Sequence, residues 1–306
     1  MPCKICKSKP VITLSNNNIS LCKNCFVRYF EKKTLKTIRK YKLIKPRDHI
    51  VVAVSGGKDS ISVLNILNKI ASKKMDIKLT ALSVDEGIPN YRNKTIQNAQ
   101  KYCKKHNIPH SVISFKKEFG KTIKEFKKDS PEMMAHGMCG VLRRHVLNKY
   151  AKKLKATKLA TGHNLDDESQ SILMNQLRHN IALSARLGPK TGVTKDSRFI
   201  PRIKPFYFLT EKETELYAKL KDFLPKVTKG YPNRFNSNRF SIMNMLNNLE
   251  EKYPGSKHSL IASFMEILPL LKEKYKGQKI NSCKICKEPT SSEICNACTL
   301  LKKIKE

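Results

Sequence analysis

The stretch HIVVAVSGGKDS at residues 49–60 constrains the fold more than any other part of the chain. A β-branched apolar run at 50–54 reads as a buried strand. It passes straight into Ser55, Gly56, Gly57, Lys58, Asp59 and Ser60, and a helical pattern follows through Lys69. Strand, glycine turn, helix is an arrangement in which backbone N–H groups and the positive helix N-terminus hold a phosphate, because glycines remove the side chains that block close approach. Ser55 and Ser60 add hydroxyls, Lys58 adds a cation, and Asp59 offers a carboxylate for Mg²⁺ bridging phosphates. The P-loop is excluded: it needs a glycine, four residues, then Gly-Lys-Ser/Thr, whereas here the glycines are adjacent and precede the lysine.

Three more strands are expected, at 78–84, 111–115 and 157–161. The last runs into Gly162-His163-Asn164-Leu165-Asp166-Asp167-Glu168, where Asp166 is expected to cap a helix reaching His179. Strands alternating with helices predict an α/β fold with a parallel sheet, whose ligand site lies beyond the strand C-termini. Asp167 is then a candidate catalytic or Mg²⁺-linked carboxylate, or else a first-turn acid favoured by the helix dipole.

Eight of the ten cysteines form two sets, Cys3, Cys6, Cys22, Cys25 and Cys283, Cys286, Cys295, Cys298, each C-x2-C, a spacer, then C-x2-C. Two such knuckles complete a closed tetrahedral Zn²⁺ site, so two structural zinc ions are expected. Disulfides are the alternative, disfavoured for a chain that opens with no apolar signal core and reads as cytoplasmic. The spacers at 7–21 and 287–294 are too short for a core, so metal binding supplies the ribbons' stability. No stretch is long and apolar enough for a membrane span. Cys103, inside the helical pattern 92–106, reads as a small core residue.

Lysine and arginine exceed aspartate and glutamate by 61 − 25 = +36, and the surplus runs from end to end. A polyanionic partner follows, and nucleic acid is the expected one. Lysines beside the zinc knuckles and the basic helical segment at 31–47 are candidate phosphate contacts.

The SGGKDS hexapeptide matches the PP-loop of the N-type ATP pyrophosphatases. The order zinc quartet, SGGKDS, Cys-Gly-x-x-Arg-Arg helix, TGHNLDDE and second zinc quartet resembles the TtuA-type branch of the tRNA 2-thiolation enzymes over almost the whole chain. That resemblance implies a PP-loop fold and cleavage of ATP to AMP and pyrophosphate. It further implies adenylation of O2 of a tRNA uridine, and replacement of the adenylate by sulfur from a ubiquitin-like carrier or from sulfide. It implies ATP contacts at Ala53, Ser55, Gly56, Gly57, Lys58, Asp59, Ser60, Leu82, Ser83, Val84, Arg143, Gly162 and Asp167, with the backbone of 82–84 meeting adenine. Cys139, Asp59, Arg143 and Asp167 are the implied catalytic set, and a homodimer the implied assembly. Five segments are expected: 1–30 zinc ribbon, 31–48 basic linker helix, 49–222 ATP-binding domain, 223–276 helical segment with helices at 233–253 and 256–271, and 277–306 zinc ribbon. Pro269 should stop the second of those helices near Leu268.

One departure stands out. In the family a 4Fe-4S cluster is held by three cysteines. Here Cys139 matches the second, but His136 stands at the first and Tyr231, before Pro232, at the third. Three readings stay open without a cluster: Cys139 carries a persulfide, another nucleophile completes the reaction, or the chain binds tRNA without modifying it.

Overall fold

The computed structural model describes residues 1–74, 76–130, 135–193, 198–224, 238–277 and 280–304, and for residues 135 and 136 the backbone. Tyr231, Pro232 and the first residues of the helix expected at 233–253 lie outside the described residues.

A small antiparallel ribbon, β1 (Ile12–Thr13) with β2 (Ser20–Leu21), carries the first quartet and leads into helix α1 (Lys23–Lys40). Then come β3 (His49–Ala53), α2 (Lys58–Ala71), β4 (Lys78–Asp85), α3 (Arg92–Lys105) and β5 (His110–Ser114). Two short helices, α4 (Phe115–Phe119) and α5 (Ile123–Asp129), precede α6 (Ala135–Lys153), β6 (Lys158–Ala160), α7 (Leu165–Leu177), α8 (Ile181–Ser184) and β7 (Arg202–Ile203). The chain ends with α9 (Glu211–Leu220), α10 (Asn238–Lys252), α11 (Ser256–Lys274), a second ribbon of β8 (Asn281–Ser282) and β9 (Pro289–Thr290), and α12 (Asn296–Lys303).

The central sheet runs β5-β4-β3-β6-β7, and every neighbouring pair is parallel. Val51 and Val52 are fully buried, as a central parallel strand covered by helices on both faces requires. The strand order reverses between β3 and β6, so a crevice is expected where their C-terminal ends part. The SGGKDS loop leaves β3 there and Gly162 leaves β6.

Helix α1 begins inside the first ribbon, at Lys23, and crosses the boundary drawn at residue 30. Phe26 and Phe30 are fully buried, and Phe30 stacks on Tyr217 of α9 at 4.1 Å between ring centroids. Burying each ring is worth about 1.5–3 kcal/mol, against about 0–1 kcal/mol for a surface ion pair such as Lys69–Glu31, so apolar packing holds α1 down. Cys3, Cys22 and Cys25 share one apolar cluster with Ile50 of β3 and Ile61 of α2, so ribbon and core are continuous. The second ribbon sits on α6: Cys283, Cys295 and Cys298 share a cluster with Met138, Leu142 and Val146, and Glu288 accepts from Asn148 at 3.0 Å and Lys152 at 3.2 Å.

Two sequence expectations change. Pro269 lies inside α11, which continues to Lys274. The proline forfeits one intrahelical hydrogen bond, but Ile261, Phe264 and Leu268 are buried along the helix and hold it in place. Asp166 is not the cap of α7. Asn164 is: its side chain accepts from the Asp167 N–H at 3.1 Å while Asp167 reaches back to the Asn164 N–H at 3.3 Å, a reciprocal capping box. Cys103 is buried as expected, and burial pushes its thiol up to about 11.

Candidate active site

Gly56 sits at φ +82°, and a Cβ there would stand 1.8 Å from the Thr95 carbonyl oxygen of α3, so only glycine fits between loop and helix. Gly57 caps α2 with extended backbone, which leaves the first N–H groups of that helix pointing into the crevice. Ser55 and Ser60 brace the turn. The Ser55 N–H and Ser60 Oγ are 3.2 Å apart, the two hydroxyls 3.1 Å, and Ser60 Oγ donates to the Gly57 carbonyl at 3.0 Å. Gly162 matters through distance, because a Cβ would lie 3.0 Å from the Ser60 nitrogen; its absence lets the end of β6 close on the first turn of α2.

The acids cluster around this turn. Lys58 Nζ lies 3.1 Å from both Asp59 Oδ2 and Glu211 Oε1, and Asp59 Oδ1 accepts from the Thr214 hydroxyl at 2.7 Å. Burial pulls the Lys58 ammonium down, but Asp59 and Glu211 outweigh it and leave it above its ordinary value. Burial pushes the Asp59 carboxyl up; Lys58 and Thr214 oppose it, and the charge of Asp167 reinforces it. Asp167 is likewise raised, first by burial, with Arg239 opposing and Glu211 and Asp166 adding to the rise, and it pairs with Arg239 of α10 at 2.8 Å. The charge of Asp167 thus bears on Asp59, which puts two carboxylates beside the glycine turn. Asp166 is occupied otherwise, by buried Lys257 and by the Glu211 N–H at 2.7 Å.

A cationic wall borders the crevice. His163 Nδ1 lies 2.8 Å from Thr161 Oγ1, and its pKa falls well below the ordinary value through burial first, then the charges of Lys204, Arg239, Arg202 and Arg143. Arg143 meets buried Glu86 at 3.3 Å, and Glu86 also pairs with Arg92 at 2.6 Å. Burial and the charge of Arg144 push Arg202 down to about 10, so it stays charged at neutral pH. Neither Arg144 nor Arg202 has a carboxylate partner within ion-pair distance among the described residues. Guanidinium groups placed near one another without an acid between them make an anion site.

Ala53 ends β3 half-buried. At the proposed adenine edge, the Leu82 carbonyl accepts from the Val54 N–H at 2.9 Å, and Ser83 Oγ donates to the Val54 carbonyl at 2.6 Å and meets His110 Nε2 at 2.7 Å. The Val84 carbonyl accepts from Arg92 Nε at 2.7 Å. These side chains are buried, and the Leu82 and Val84 carbonyls already accept hydrogen bonds from Val54 and Arg92. Cys139 is 1% exposed, on α6 among Val84, Phe115 and Leu142, with Arg144 close enough to interact electrostatically. Thr214, Arg239 and Asn164 escaped the sequence reading as site residues. The capping pattern Thr210-x-x-Glu213, which the structure realises at α9, was the one local signal that a helix N-terminus with Glu211 and Thr214 faced something polar.

Each cysteine quartet gathers its sulfurs within 4.8 Å of one another. Cys6 and Cys22 stand 3.4 Å apart and Cys286 and Cys295 3.6 Å, near the ~3.8 Å edge of a tetrahedron with Zn–S bonds of about 2.3 Å. Burial raises the Cys3 thiol, but N–H groups in the knuckle, with Cys22 and Cys6 foremost, outweigh it and bring it down to about 6. The equivalent knuckle does the same for Cys283. Burial pushes other members of the quartets up, Cys25 to about 12 and Cys286 to about 11, so the thiolate charge is shared unevenly until a bound dication favours all four thiolates.

A profile of the PP-loop domain matches residues 28–224. The tRNA-5-methyluridine(54) 2-sulfurtransferase of Pyrococcus horikoshii is 34% identical, over 97% of this chain and 93% of its own. The chain belongs to the PP-loop family of tRNA 2-thiolation proteins. Within that family, the tRNA 2-thiolation protein NcsA of Haloferax volcanii is 33% identical over all of this chain and 99% of its own. The structure of the U34-tRNA thiolase NcsA from Methanococcus maripaludis, determined with its [4Fe-4S] cluster, matches with a TM-score of 0.84 at 30% identity, covering 99% of this chain and 96% of that one. The fold expected from the sequence is thus the fold of this family. No helix among the described residues is long and apolar enough to cross a membrane.

Proposed function

We propose that this protein is an ATP-dependent tRNA uridine 2-thiolase, acting in the cytoplasm with two structural Zn²⁺ ions. The observation that carries the reading is the crevice between β3 and β6, where a glycine turn opens helix α2 beside Asp59 and Asp167 and is flanked by arginines. Backbone N–H groups of 56–58 and the hydroxyls of Ser55 and Ser60 hold phosphate, Asp59 and Asp167 hold Mg²⁺, and the backbone at 82–84 meets adenine.

In the first step the uridine O2 attacks the α-phosphorus of ATP, a P–O bond forms, and pyrophosphate leaves with the electron pair. Lys58, turning from Asp59 and Glu211, and Arg143 stabilise the charge that develops on phosphate. In the second step a sulfur nucleophile attacks C2, and AMP leaves. Adenylation converts an oxygen that leaves poorly into one that leaves as AMP. The cationic wall from Arg143 and Arg144 to Arg202 is suited to the tRNA phosphates beside the reacting uridine. A ubiquitin-like sulfur carrier and a homodimer complete this reading and rest on the family resemblance.

The relatives' names place the modified uridine at position 54 in one case and 34 in another, so the test should map it. Unmodified tRNA would be incubated anaerobically with the protein, ATP, Mg²⁺ and sulfide, then digested with sequence-specific ribonucleases and examined by mass spectrometry. Thiouridine at one position, absent with Lys58→Ala, is expected. Sulfur-free tRNA after full consumption of ATP would overturn the proposal.

A further inference from the structure

We infer that this chain carries no [4Fe-4S] cluster, and that sulfur reaches the activated uridine already at the oxidation level of sulfide. The second part rests on the thiolation reading above, and the first does not.

Iron–sulfur clusters of this type are held by cysteine thiolates. The chain has ten cysteines, all described, and eight are committed to the two quartets. Those quartets suit a single ion. Their sulfurs lie within 4.8 Å of one another, whereas a cubane with one cysteine on each iron needs its thiolates spread around the outside of the cube. Two cysteines remain, and they lie apart: Cys103 is on α3 in the apolar cluster of Ile50 and Ile61, and Cys139 is on α6 in the cluster of Val84 and Phe115. His136 stands one turn before Cys139 on the same helix. Even with that imidazole counted, one thiolate and one imidazole would have to do what three thiolates do in the family. The residues of this chain therefore do not fit the group that the solved relative carries.

The same inventory decides the form of sulfur. If Cys139 carried a persulfide, its terminal sulfur would attack C2 and expel AMP, leaving a Cys139–S–S–C2 disulfide. Freeing thiouridine would then take two electrons from a second thiol, and every other thiol of the chain is in a quartet or, as Cys103, buried in a different cluster. Hydrosulfide needs no such partner. A C–S bond forms at C2, the C2–O bond breaks, AMP leaves with the electron pair, and the sulfur's proton passes to solvent. A thiocarboxylate at the end of a carrier protein arrives at the same oxidation level, with water taking the acyl group afterwards.

The experiment is metal analysis of the full chain purified anaerobically, before and after incubation with ferrous iron and sulfide and desalting, followed by intact-mass measurement of protein taken from turnover without added thiol. Two zinc per chain are expected, one for each quartet, with iron far below one per chain in both samples. No sulfur adduct on Cys139 and no protein–tRNA disulfide are expected. Iron at three to four per chain that resists desalting and is lost in Cys139→Ala would overturn the first part. Iron retained in that variant but lost in Cys286→Ser would overturn it too, by placing a cluster in a quartet. A sulfur adduct that vanishes in Cys139→Ser would overturn the second part. Metal content reads out whether or not the protein thiolates tRNA, so failure of the proposed function would leave a distinct signature: zinc as expected and no thiouridine.

Discussion

Gly56 shapes the phosphate loop by having no side chain. Its left-handed backbone costs any other residue about 1–2 kcal/mol, and the Thr95 carbonyl would overlap a Cβ outright. Gly56→Ala should lose more than about 2 kcal/mol of stability in urea titration, or keep stability only by shifting the loop and losing ATP binding. Lys58 bridges Asp59 and Glu211 and is placed to turn to the phosphate of ATP. Lys58→Ala should lower kcat for thiouridine formation by roughly 10²–10³-fold, the range for removing one donor to the developing charge. His163 gives a pH signature. Its folded pKa lies below the unfolded value of 6.5, so as pH falls below 6.5 the unfolded chain takes up a proton that the folded chain refuses, and stability drops. The slope for one such proton is at most about 1.4 kcal/mol per pH unit. Urea midpoints from pH 7 to 5 should therefore fall less steeply in His163→Gln than in the wild type, and equal slopes would show that His163 protonates in the fold.

Helix α6 joins the site to the periphery, carrying Cys139 and Arg143 near one end and the second ribbon along its length. Removing zinc with a strong chelator should free that ribbon and expose α6, seen as faster amide exchange at residues 283–300 and along α6 while β3 and β4 stay protected. Arg144 and Arg202 have no carboxylate partner among the described residues, so Arg144→Ala with Arg202→Ala should weaken binding of all tRNAs alike. The slope of log K against log salt should become shallower by roughly one per residue lost, measured by filter binding. At this scale the sequence was most informative. The strand–glycine–helix at 49–60 and the cysteine spacings are local patterns whose geometry follows from a few neighbouring residues. Asn164 and Asp166 were confused because polar residues on both sides of Leu165 offer several caps, and Asp166 is drawn away from that role by Lys257 and Glu211, far away in the chain. Pro269 misled for a related reason: a proline's local cost is readable, whereas the buried face that outweighs it belongs to the assembled fold.

At the scale of the whole molecule, the family and its α/β sheet were legible because motif order is preserved from one ribbon to the other. What was not legible is how the carboxylates are held: Thr214 reaches Asp59, and Arg239 reaches Asp167, across separations of 155 and 72 residues. Those contacts fix the two acids that the proposed Mg²⁺ site uses. The central claim is that this site cleaves ATP between the α- and β-phosphates to activate a tRNA uridine. The measurement that tests it most directly is product stoichiometry in one reaction containing ATP, Mg²⁺, sulfide and unmodified tRNA. One AMP and one pyrophosphate for each thiouridine is the result predicted, with all three lost together in Lys58→Ala. ADP and orthophosphate as products, or AMP released at the same rate without tRNA, would contradict it.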